Sequence, residues 1–367
     1  MSPRHGVVGA VGTIDRDLVT LQGNQAFEYA VGVIDVGLTE PDPGDLQLLT
    51  LAVVHSFWQC LHMSIQEHVK QMRDPRWWDQ FSPLSVSSST FDTSAQPSQR
   101  AGQAFRDGLR KEGWAQWTPP DQRERIGLLR EGVLALRAER LPGPFMWMFE
   151  DTWRFFASLD PLFRVAMGRD YKVLPCFWAW YVAPGAEHGG WPVHRDRTRG
   201  ERNVGPDGLP KTLSVWVPLT RATPHNGCMH VVPSPYAPAS GKDIRPRDIR
   251  CLPAEPGDVL SWRQDLFHWG GRSSDIAGGP RIALGLELQG RTSHAFERPL
   301  YEPGHIPSFE HRLALVGQNL WRYRGRLKNK RISELAQGLM AIAPDLDNTA
   351  VDAPKSKQVM VAGPLWR

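Results

Sequence analysis

The feature that most constrains the fold is a change of pattern near residue 171. From residue 171 to residue 290, short runs of β-branched and aromatic residues alternate with turns rich in Gly, Pro and Asn. Such spacing is typical of an all-β sandwich or barrel, in which every strand is short and every reversal needs a turn residue. We therefore predict a jelly roll built from the runs FWAWYVA, WPVHRD, TLSVWVPL, CMHVVP, DVLSW and PRIALGLEL.

Helical periodicity frames this β region on both sides. Residues 1–170 are predicted to be mainly helical, with one helix over 45–72, capped by Asp45, and another after the Pro-Pro-Asp stop at 119–121. Residues 291–345 should hold further helices, over 309–323 and 332–342, and 346–367 resembles a tail. The order of elements predicts a single decorated domain over 1–367, α+β in class, with its β core at 171–290.

Composition describes an ordinary folded protein. A chain of 367 residues that is 41% hydrophobic can bury a large core, and a net charge of +4 selects no class of partner by itself. The N-terminus lacks the apolar run of a secretory signal, and polar residues interrupt the apolar stretch 46–63. We therefore expect a cytoplasmic protein in which 46–63 is a buried helix and not a membrane span.

The four cysteines form no CxxC pair that would indicate zinc binding or redox chemistry. They are widely spaced along the chain. We expect all four to be reduced thiols that pack in the interior: Cys60, Cys176, Cys228 and Cys251.

A candidate metal site begins in the run WPVHRDR. His194 and Asp196 stand two apart on a predicted strand, whose period of two places both side chains on one face. The run DLFHWGG adds His268 beside a double-glycine turn. Two imidazoles and one carboxylate leave adjacent positions on an ion open, as non-haem Fe(II) oxygenases require, whereas structural zinc has a closed tetrahedron. The sequence thus predicts a triad of His194, Asp196 and His268.

A candidate anion-binding residue follows thirteen residues after His268. Arg281 opens the alternating run RIALGLEL, which predicts a half-buried strand with Arg281 on one face and Ile282 on the other. An inward guanidinium requires an anion, and it binds a carboxylate in a bidentate fork. We predict that Arg281 binds the distal carboxylate of 2-oxoglutarate.

These motifs resemble the phytanoyl-CoA dioxygenase-like family of Fe(II)- and 2-oxoglutarate-dependent oxygenases. WPVHRDR, NGCMHVVPSPY and FHWGG followed by PRIALGLEL carry the resemblance, which covers 171–290. It implies a double-stranded β-helix, a cupin-like jelly roll with helical additions at both ends. It also implies Fe(II) at His194, Asp196 and His268, with the co-substrate 2-oxoglutarate on Arg281 and O2 as the oxidant.

The resemblance further implies that Trp216 packs against 2-oxoglutarate, with Thr212 and Ser214 as polar candidates on the same strand face. The chain also departs from the family pattern. Residues 233–236 read Pro-Ser-Pro-Tyr where the family has a Pro-Gly-Ser-His turn, and Trp269 follows the distal histidine. These departures leave the metal ligands in place, and they give no reason to expect a coenzyme A thioester or phytanic acid as substrate.

Several polar residues near the triad are candidate substrate contacts. The segment 197–210 is long, basic and rich in glycine, as many active-site lids are. Its arginines would suit an acidic substrate, although solvated loop charges explain the same pattern. His188 and His230 are rival metal ligands, but neither has a carboxylate at the required spacing. The candidate contacts are Arg195, Arg197, Arg199, Arg202, His230 and Trp269.

The residues and the resemblance together imply a dioxygenase that oxidises an unactivated C–H bond and releases succinate and CO2. Hydroxylation is the expected outcome, while desaturation, epimerisation and ring closure stay open. Asp196 disfavours halogenation because it fills the position that a halide would need. A small-molecule substrate is expected, and no oligomeric state is predicted.

Two alternatives remain at this stage. One is the same chemistry on a protein or nucleic acid, and the other is a cupin-like binding protein without catalysis. The basic and aromatic run 321–331 is compatible with nucleic-acid binding, although cations at a predicted helix end explain it equally well.

Overall fold

The computed structural model describes residues 64–81, 83–87, 95–120, 122–186, 191–197, 203–290, 296–327 and 329–346. The predicted buried helix over 46–63, its cap at Asp45 and nearly all of the predicted tail lie outside these residues. Of the helix predicted over 45–72, the part from Ile65 to Met72 is described and is helical.

Helices occupy both flanks of the β region, as predicted. They are α1 Ile65–Met72, α2 Gln99–Lys111, α3 Arg123–Ala138, α4 Glu150–Ser158, α5 Asp160–Met167, α6 Phe309–Arg322, α7 Arg324–Leu327 and α8 Lys330–Met340. The strands are β1 Trp114–Trp117, β2 Lys172–Val182, β3 Thr212–Pro218, β4 Met229–Val231, β5 Arg250–Leu252, β6 Val259–Arg263, β7 His268–Gly270 and β8 Arg281–Gln289.

The strands form two antiparallel sheets that confirm the predicted α+β jelly roll. The large sheet has the order β1-β6-β3-β8-β2, and the small sheet has the order β5-β4-β7. Strand β1 lies in the part of the chain that was predicted to be mainly helical. Its four residues pair with β6 from Trp114↔Trp262 to Trp117↔Val259. A strand this short is defined by its partner, so the local pattern did not predict it.

The period of two along each strand gives the large sheet two different faces. On β3, Leu213, Val215 and Val217 pack into the main hydrophobic core, which also contains the flanking helices. Trp216 points the other way, into a smaller core that includes residues of the small sheet, such as Met229. The second face, which lies between the two sheets, is therefore the one that can carry a site.

One polar side chain holds the irregular start of β2 in place. The register of β2 shifts between Val173 and Phe177, around Pro175. Asn319 of α6 is fully buried there. Its Oδ1 accepts a hydrogen bond from the Phe177 N–H at 3.1 Å, and its Nδ2 donates to the carbonyls of Pro175 at 3.0 Å and Leu315 at 2.9 Å. The amide thus satisfies backbone groups that the bulge removes from the sheet.

Two further observations bear on the sequence predictions. No helix in the described part of the chain is both long and apolar enough to cross a bilayer. Cys176 and Cys228 are buried free thiols, but Cys251 is exposed, so the prediction that it packs in the interior is wrong. Cys251 lies on β5, an edge strand of the small sheet. Cys60 lies outside the described residues.

We predict that Asn319→Ala lowers the free energy of unfolding by about 2–4 kcal/mol, because it leaves buried backbone groups of the β2 bulge without partners. Urea denaturation measures this change. The matched control is Gln337→Ala, which removes an amide at an exposed position of α8 and should change stability by less than about 0.5 kcal/mol. Equal effects of the two substitutions would contradict the role assigned to Asn319.

Candidate metal and co-substrate site

The three predicted metal ligands meet at one point between the sheets. Asp196 Oδ1 lies 3.3 Å from His194 Nε2, and Asp196 Oδ2 lies 3.5 Å from His268 Nε2. One ligand atom from each residue lies within 4.8 Å of the others. Both histidines are almost fully buried, at 2% and 3% exposure. In the described residues this is the cluster of acidic, His and Cys groups that could hold a metal ion.

The geometry that brings the ligands together differs from the prediction. The run WPVHRD is not a strand, and only His194 makes an isolated antiparallel bridge, to His268. The two residues exchange both backbone hydrogen bonds, at 3.1 Å and 2.9 Å. Directly opposed residues in such a pair point to the same side, and the imidazole centroids lie 4.2 Å apart. His268 opens strand β7 and does not end a strand.

The donor atoms fit a divalent metal ion. His194 Nδ1 lies 2.8 Å from the Pro192 carbonyl oxygen, and His268 Nδ1 lies 3.1 Å from that of Leu266. These contacts place the proton on Nδ1 of each ring and leave the Nε2 lone pairs facing the common point, an arrangement typical of metal-binding histidines. Ser214 donates a hydrogen bond of 2.6 Å to Asp196 Oδ2 and so orients the carboxylate.

The electrostatics of the cluster keep Asp196 and His268 in the protonation states that a metal needs. Burial alone would raise the pKa of Asp196, but the charges of His268 and His194 and the Ser214 hydrogen bond hold it below its ordinary value. Burial lowers the pKa of His268 to about 4, against the opposing effect of Asp196. At neutral pH, Asp196 is therefore a carboxylate and His268 is a neutral imidazole.

Arg281 lines the same cavity as the triad, on the second face of the large sheet. Its side chain is 1% exposed, and Nη1 lies 3.6 Å from the Met229 sulfur. The guanidinium also lies 5.8 Å from the centre of the Trp216 ring. Burial lowers the pKa of Arg281 to about 10, so it stays charged at neutral pH where water cannot solvate it well. A carboxylate bound in the cavity would offset that desolvation.

The other predicted co-substrate residues separate into two groups. Trp216 and Ser214 line the cavity, with Ser214 bound to Asp196. Thr212 is not among the residues that line it, so a contact between Thr212 and 2-oxoglutarate stays a prediction. Its buried hydroxyl lies 3.4 Å from Asn203 Oδ1, which belongs to the segment leading into β3.

Arg195, which was predicted as a substrate contact, is bound by other groups of the protein. Arg195 donates to the carbonyls of Pro238 and Ala239 at 2.7 Å and 3.2 Å, and its guanidinium lies 3.7 Å from the centre of the Phe267 ring. Arg195 does not line the cavity. Arg199, Arg202 and the rival ligand His188 lie outside the described residues.

Arg197 is the centre of a buried ion-pair network next to the triad. It donates to Glu287 Oε2 at 3.2 Å and to Gln264 Oε1 at 3.2 Å, and it lies 3.8 Å from Glu297. Arg322 pairs with the same Glu297 at 2.7 Å. Burial would lower the pKa of Arg197, but the acidic neighbours raise it above the ordinary value. Arg197 therefore holds the loop that carries Asp196, and the prediction of a substrate contact is not supported.

His230 and Trp269 pack against each other, with stacked rings 5.3 Å apart. Trp269 lines the cavity and His230 does not, and the substrate contacts of both residues stay predictions. In the basic run 321–331, Arg324, Lys330 and Arg331 are exposed, so the nucleic-acid alternative stays a prediction. Arg322 of the same run is directed inward to Glu297, and Tyr323 lines the cavity.

The sequence predictions missed one wall of the cavity. It consists of aromatic residues from β2, from the segment before His194 and from the end of α6. Two signals were present: FWAWYVA places alternate tryptophans on one strand face, and Glu287 shares the face of Arg281 at a spacing of six. That wall is formed by Trp178, Trp180, Trp191 and Tyr323, and the other cavity residues that the predictions missed include Trp262, Met229 and Glu287.

We predict that Arg197→Met weakens metal binding by about 10-fold, the usual scale for residues that orient metal ligands. It should also destabilise the fold by about 3 kcal/mol, because Glu287 and Glu297 lose a buried partner. Anaerobic Fe(II) titration and urea denaturation measure the two effects. Arg195→Met is the matched control and should leave metal affinity unchanged. Equal losses of metal affinity would show that Arg197 has no special role.

Comparison with known families gives a match that spans the candidate metal ligands. Residues 148–278 match the family model described as phytanoyl-CoA dioxygenase (PhyH). The matched span includes His194, Asp196 and His268 and ends just before Arg281. No curated protein sequence matches the chain.

Several solved structures resemble the chain. EvdMO1 has a TM-score of 0.42 and 21% identity over 52% of this chain, and the match spans only 50% of EvdMO1. The non-haem monooxygenase ThoJ has a TM-score of 0.45 and 16% identity, covering 64% of this chain and 99% of ThoJ. The α-ketoglutarate-dependent epimerase SnoN from nogalamycin biosynthesis has a TM-score of 0.41 and 14% identity, covering 58% and 88%.

The family match confirms the resemblance carried by WPVHRDR, NGCM and FHWGG, and residues 148–278 are similar to the phytanoyl-CoA dioxygenase (PhyH) family.

Proposed function

We propose that this protein is an Fe(II)- and 2-oxoglutarate-dependent dioxygenase that oxidises, and most simply hydroxylates, a C–H bond of a small molecule. The observation that carries the proposal is one cavity lined by three convergent metal ligands and by a buried arginine, Arg281. A metal with two histidines and one carboxylate keeps open positions, and the arginine supplies the charge for a dicarboxylate co-substrate.

Each residue then has a defined task. His194, Asp196 and His268 would hold Fe(II), and Ser214 would orient Asp196 through its hydrogen bond. Arg281 would bind the distal carboxylate of 2-oxoglutarate, with Trp216 packed beside it. When bound, the iron and co-substrate together supply the oxidising power, and succinate and CO2 are released. The protein's share is to orient the reactants and exclude water from the cavity.

The cavity wall favours a small molecule over a polymer. It is formed mainly by aromatic side chains with a few polar groups, as small-molecule pockets commonly are. Tyr323 lies 4.9 Å from Trp178 and 4.7 Å from Trp191, between ring centres. Trp191 lies 5.5 Å from the His194 imidazole, so a molecule on this wall lies beside the candidate metal.

The wall depends on a glycine in the floor of the cavity. A Cβ at Gly285 would lie 2.9 Å from the Trp180 indole and 2.8 Å from the Val215 carbonyl oxygen. Because no side chain occupies this point, the Trp180 ring can lie close over β8. Flat rings of this kind suit a ring-shaped or planar substrate, because aromatic faces pack best against extended apolar surfaces. Glu287 adds a carboxylate that also lines the cavity.

We predict that anaerobic addition of 2-oxoglutarate to the Fe(II)-loaded protein produces a visible metal-to-ligand charge-transfer band. Asp196→Ala should lose Fe(II) binding by at least about 10-fold, because a charged ligand is removed. Absorption titration measures both. Absence of the band in the intact protein, with Fe(II) shown to be bound, would refute the proposed co-substrate chemistry.

Arg281→Gln should raise the dissociation constant of 2-oxoglutarate by about 100-fold, since a buried charge pair is lost, while Fe(II) affinity stays unchanged. Calorimetric titration with each ligand separates the two effects. Arg221→Gln is the control, since Arg221 is an exposed arginine paired with Glu255. Unchanged 2-oxoglutarate affinity in Arg281→Gln would assign the anchor elsewhere.

A screen of small ring compounds, peptides and oligonucleotides for substrate-dependent succinate release tests the substrate class. We expect ring-containing small molecules to stimulate release and polymers to have no effect. Trp191→Ala should then raise KM for the active compound, whereas Trp77→Ala, a half-buried tryptophan outside the cavity, should not. Stimulation by polymers alone would favour the protein or nucleic-acid alternative.

A further inference from the structure

Two cysteines of the small sheet lie in direct contact. Cys228 immediately precedes β4, and Cys251 is the middle residue of β5. Both are free thiols, and their Sγ atoms are 3.1 Å apart. Neither residue lines the cavity of the candidate active site. The function proposed above does not use them.

The backbone builds this contact. Strand pairing sets His230 opposite Cys251 and Met229 opposite Leu252, so Cys228 and Cys251 are diagonal neighbours on one face of the sheet. The Cys228 N–H donates to the Thr223 carbonyl at 2.8 Å, and the Cys228 carbonyl accepts from the Gly271 N–H at 3.0 Å. These bonds hold Cys228 on its side of the pair.

A glycine shapes the turn that leads into the pair. Gly227 has φ +79°, and a Cβ there would lie 2.2 Å from the Gly271 carbonyl oxygen. Only glycine fits both requirements at this point. The turn therefore fixes the position of Cys228. From that position the two sulfurs need to approach by only about 1 Å to reach the S–S bond length of a disulfide.

The two thiols differ in access to solvent. Cys228 is fully buried, whereas Cys251 is exposed on the edge strand. Burial raises the pKa of the Cys228 thiol, and its contact with Cys251 raises it further. The exposed thiol is consequently the one that a dissolved oxidant meets first, and the buried thiol is in position to attack the product.

We propose that Cys228 and Cys251 are a disulfide-forming modification site whose oxidant is a small peroxide. In the first step the Cys251 thiol loses its proton and the thiolate attacks hydrogen peroxide; the O–O bond breaks, Cys251 becomes a sulfenic acid, and the leaving hydroxide takes up the proton to form water. In the second step the Cys228 sulfur attacks the sulfenic sulfur, the S–O bond breaks, and a second water leaves. The two thiols lose two electrons and two protons, and one peroxide becomes two waters.

The disulfide would join β5 to the strand that faces the co-substrate anchor. Met229 follows Cys228 directly, and its sulfur lies 3.6 Å from Arg281 Nη1. Oxidation therefore adds a covalent link to the segment that supports Arg281 from the small sheet. We expect the oxidised protein to unfold at a higher temperature than the reduced one, because the link restricts the unfolded chain.

The test treats the full chain with hydrogen peroxide in the presence of a metal chelator, so that iron generates no radicals. Remaining thiols are alkylated, and the protein is digested without reductant and analysed by mass spectrometry. We expect a linked peptide containing Cys228 and Cys251, which dithiothreitol separates. Separate alkylation of both cysteines, their separate overoxidation, or a link from either one to Cys60 would overturn the proposal.

Variants distinguish the pair from a general sensitivity to oxidants. Cys176→Ser is the matched control, since Cys176 is also a buried thiol, and it should still give the linked peptide. Cys251→Ser should leave Cys228 as an alkylatable thiol after unfolding, and it should lose the rise in melting temperature. A rise that persists in Cys251→Ser would contradict the assignment. These readouts do not depend on oxygenase activity. The proposed disulfide site is therefore tested independently of the proposed function.

Discussion

The site depends on the backbone bridge between His194 and His268. Two hydrogen bonds join a loop and the short strand β7, and they set the two imidazoles side by side. Without that bridge, Asp196 would have one histidine partner from its own loop and none from β7. The large sheet contributes Ser214 on β3, whose hydroxyl donates a hydrogen bond to the Asp196 carboxylate and orients it. The ligand set is thus the product of contacts among a loop, a small sheet and a large sheet.

The two faces of the large sheet have different tasks: one packs in the hydrophobic core, and the other lines the cavity. One face packs under the helices with Leu213, Val215 and Val217, and the other presents Ser214, Trp216 and Arg281 to the cavity. The same alternation that builds the core therefore positions the functional groups. The helices also serve the site directly, since the end of α6 supplies Tyr323 to the cavity wall.

Buried charge is arranged in two ways around the cavity. Arg197 is neutralised within the protein by Glu287 and Glu297, and so it stabilises the loop that carries Asp196. Arg281 lies beside a thioether and an indole on the cavity wall, where we propose that it binds the co-substrate carboxylate. The two arginines thus differ in their neighbours, which a linear pattern of basic residues does not contain.

The sequence by itself determined five of the strands, β2, β3, β4, β6 and β8, together with the ligand types and the inward position of Arg281, because alternation along a strand is a local property. It also predicted the family, through WPVHRDR, NGCM and FHWGG, and the match over 148–278 agrees. Only the tertiary structure decided that His194 meets His268 through a single bridge, that Arg195 and Arg197 bind protein groups, and that Trp191 and Tyr323 share a wall. Each of these depends on contacts between residues far apart in the chain, and no local periodicity encodes such contacts.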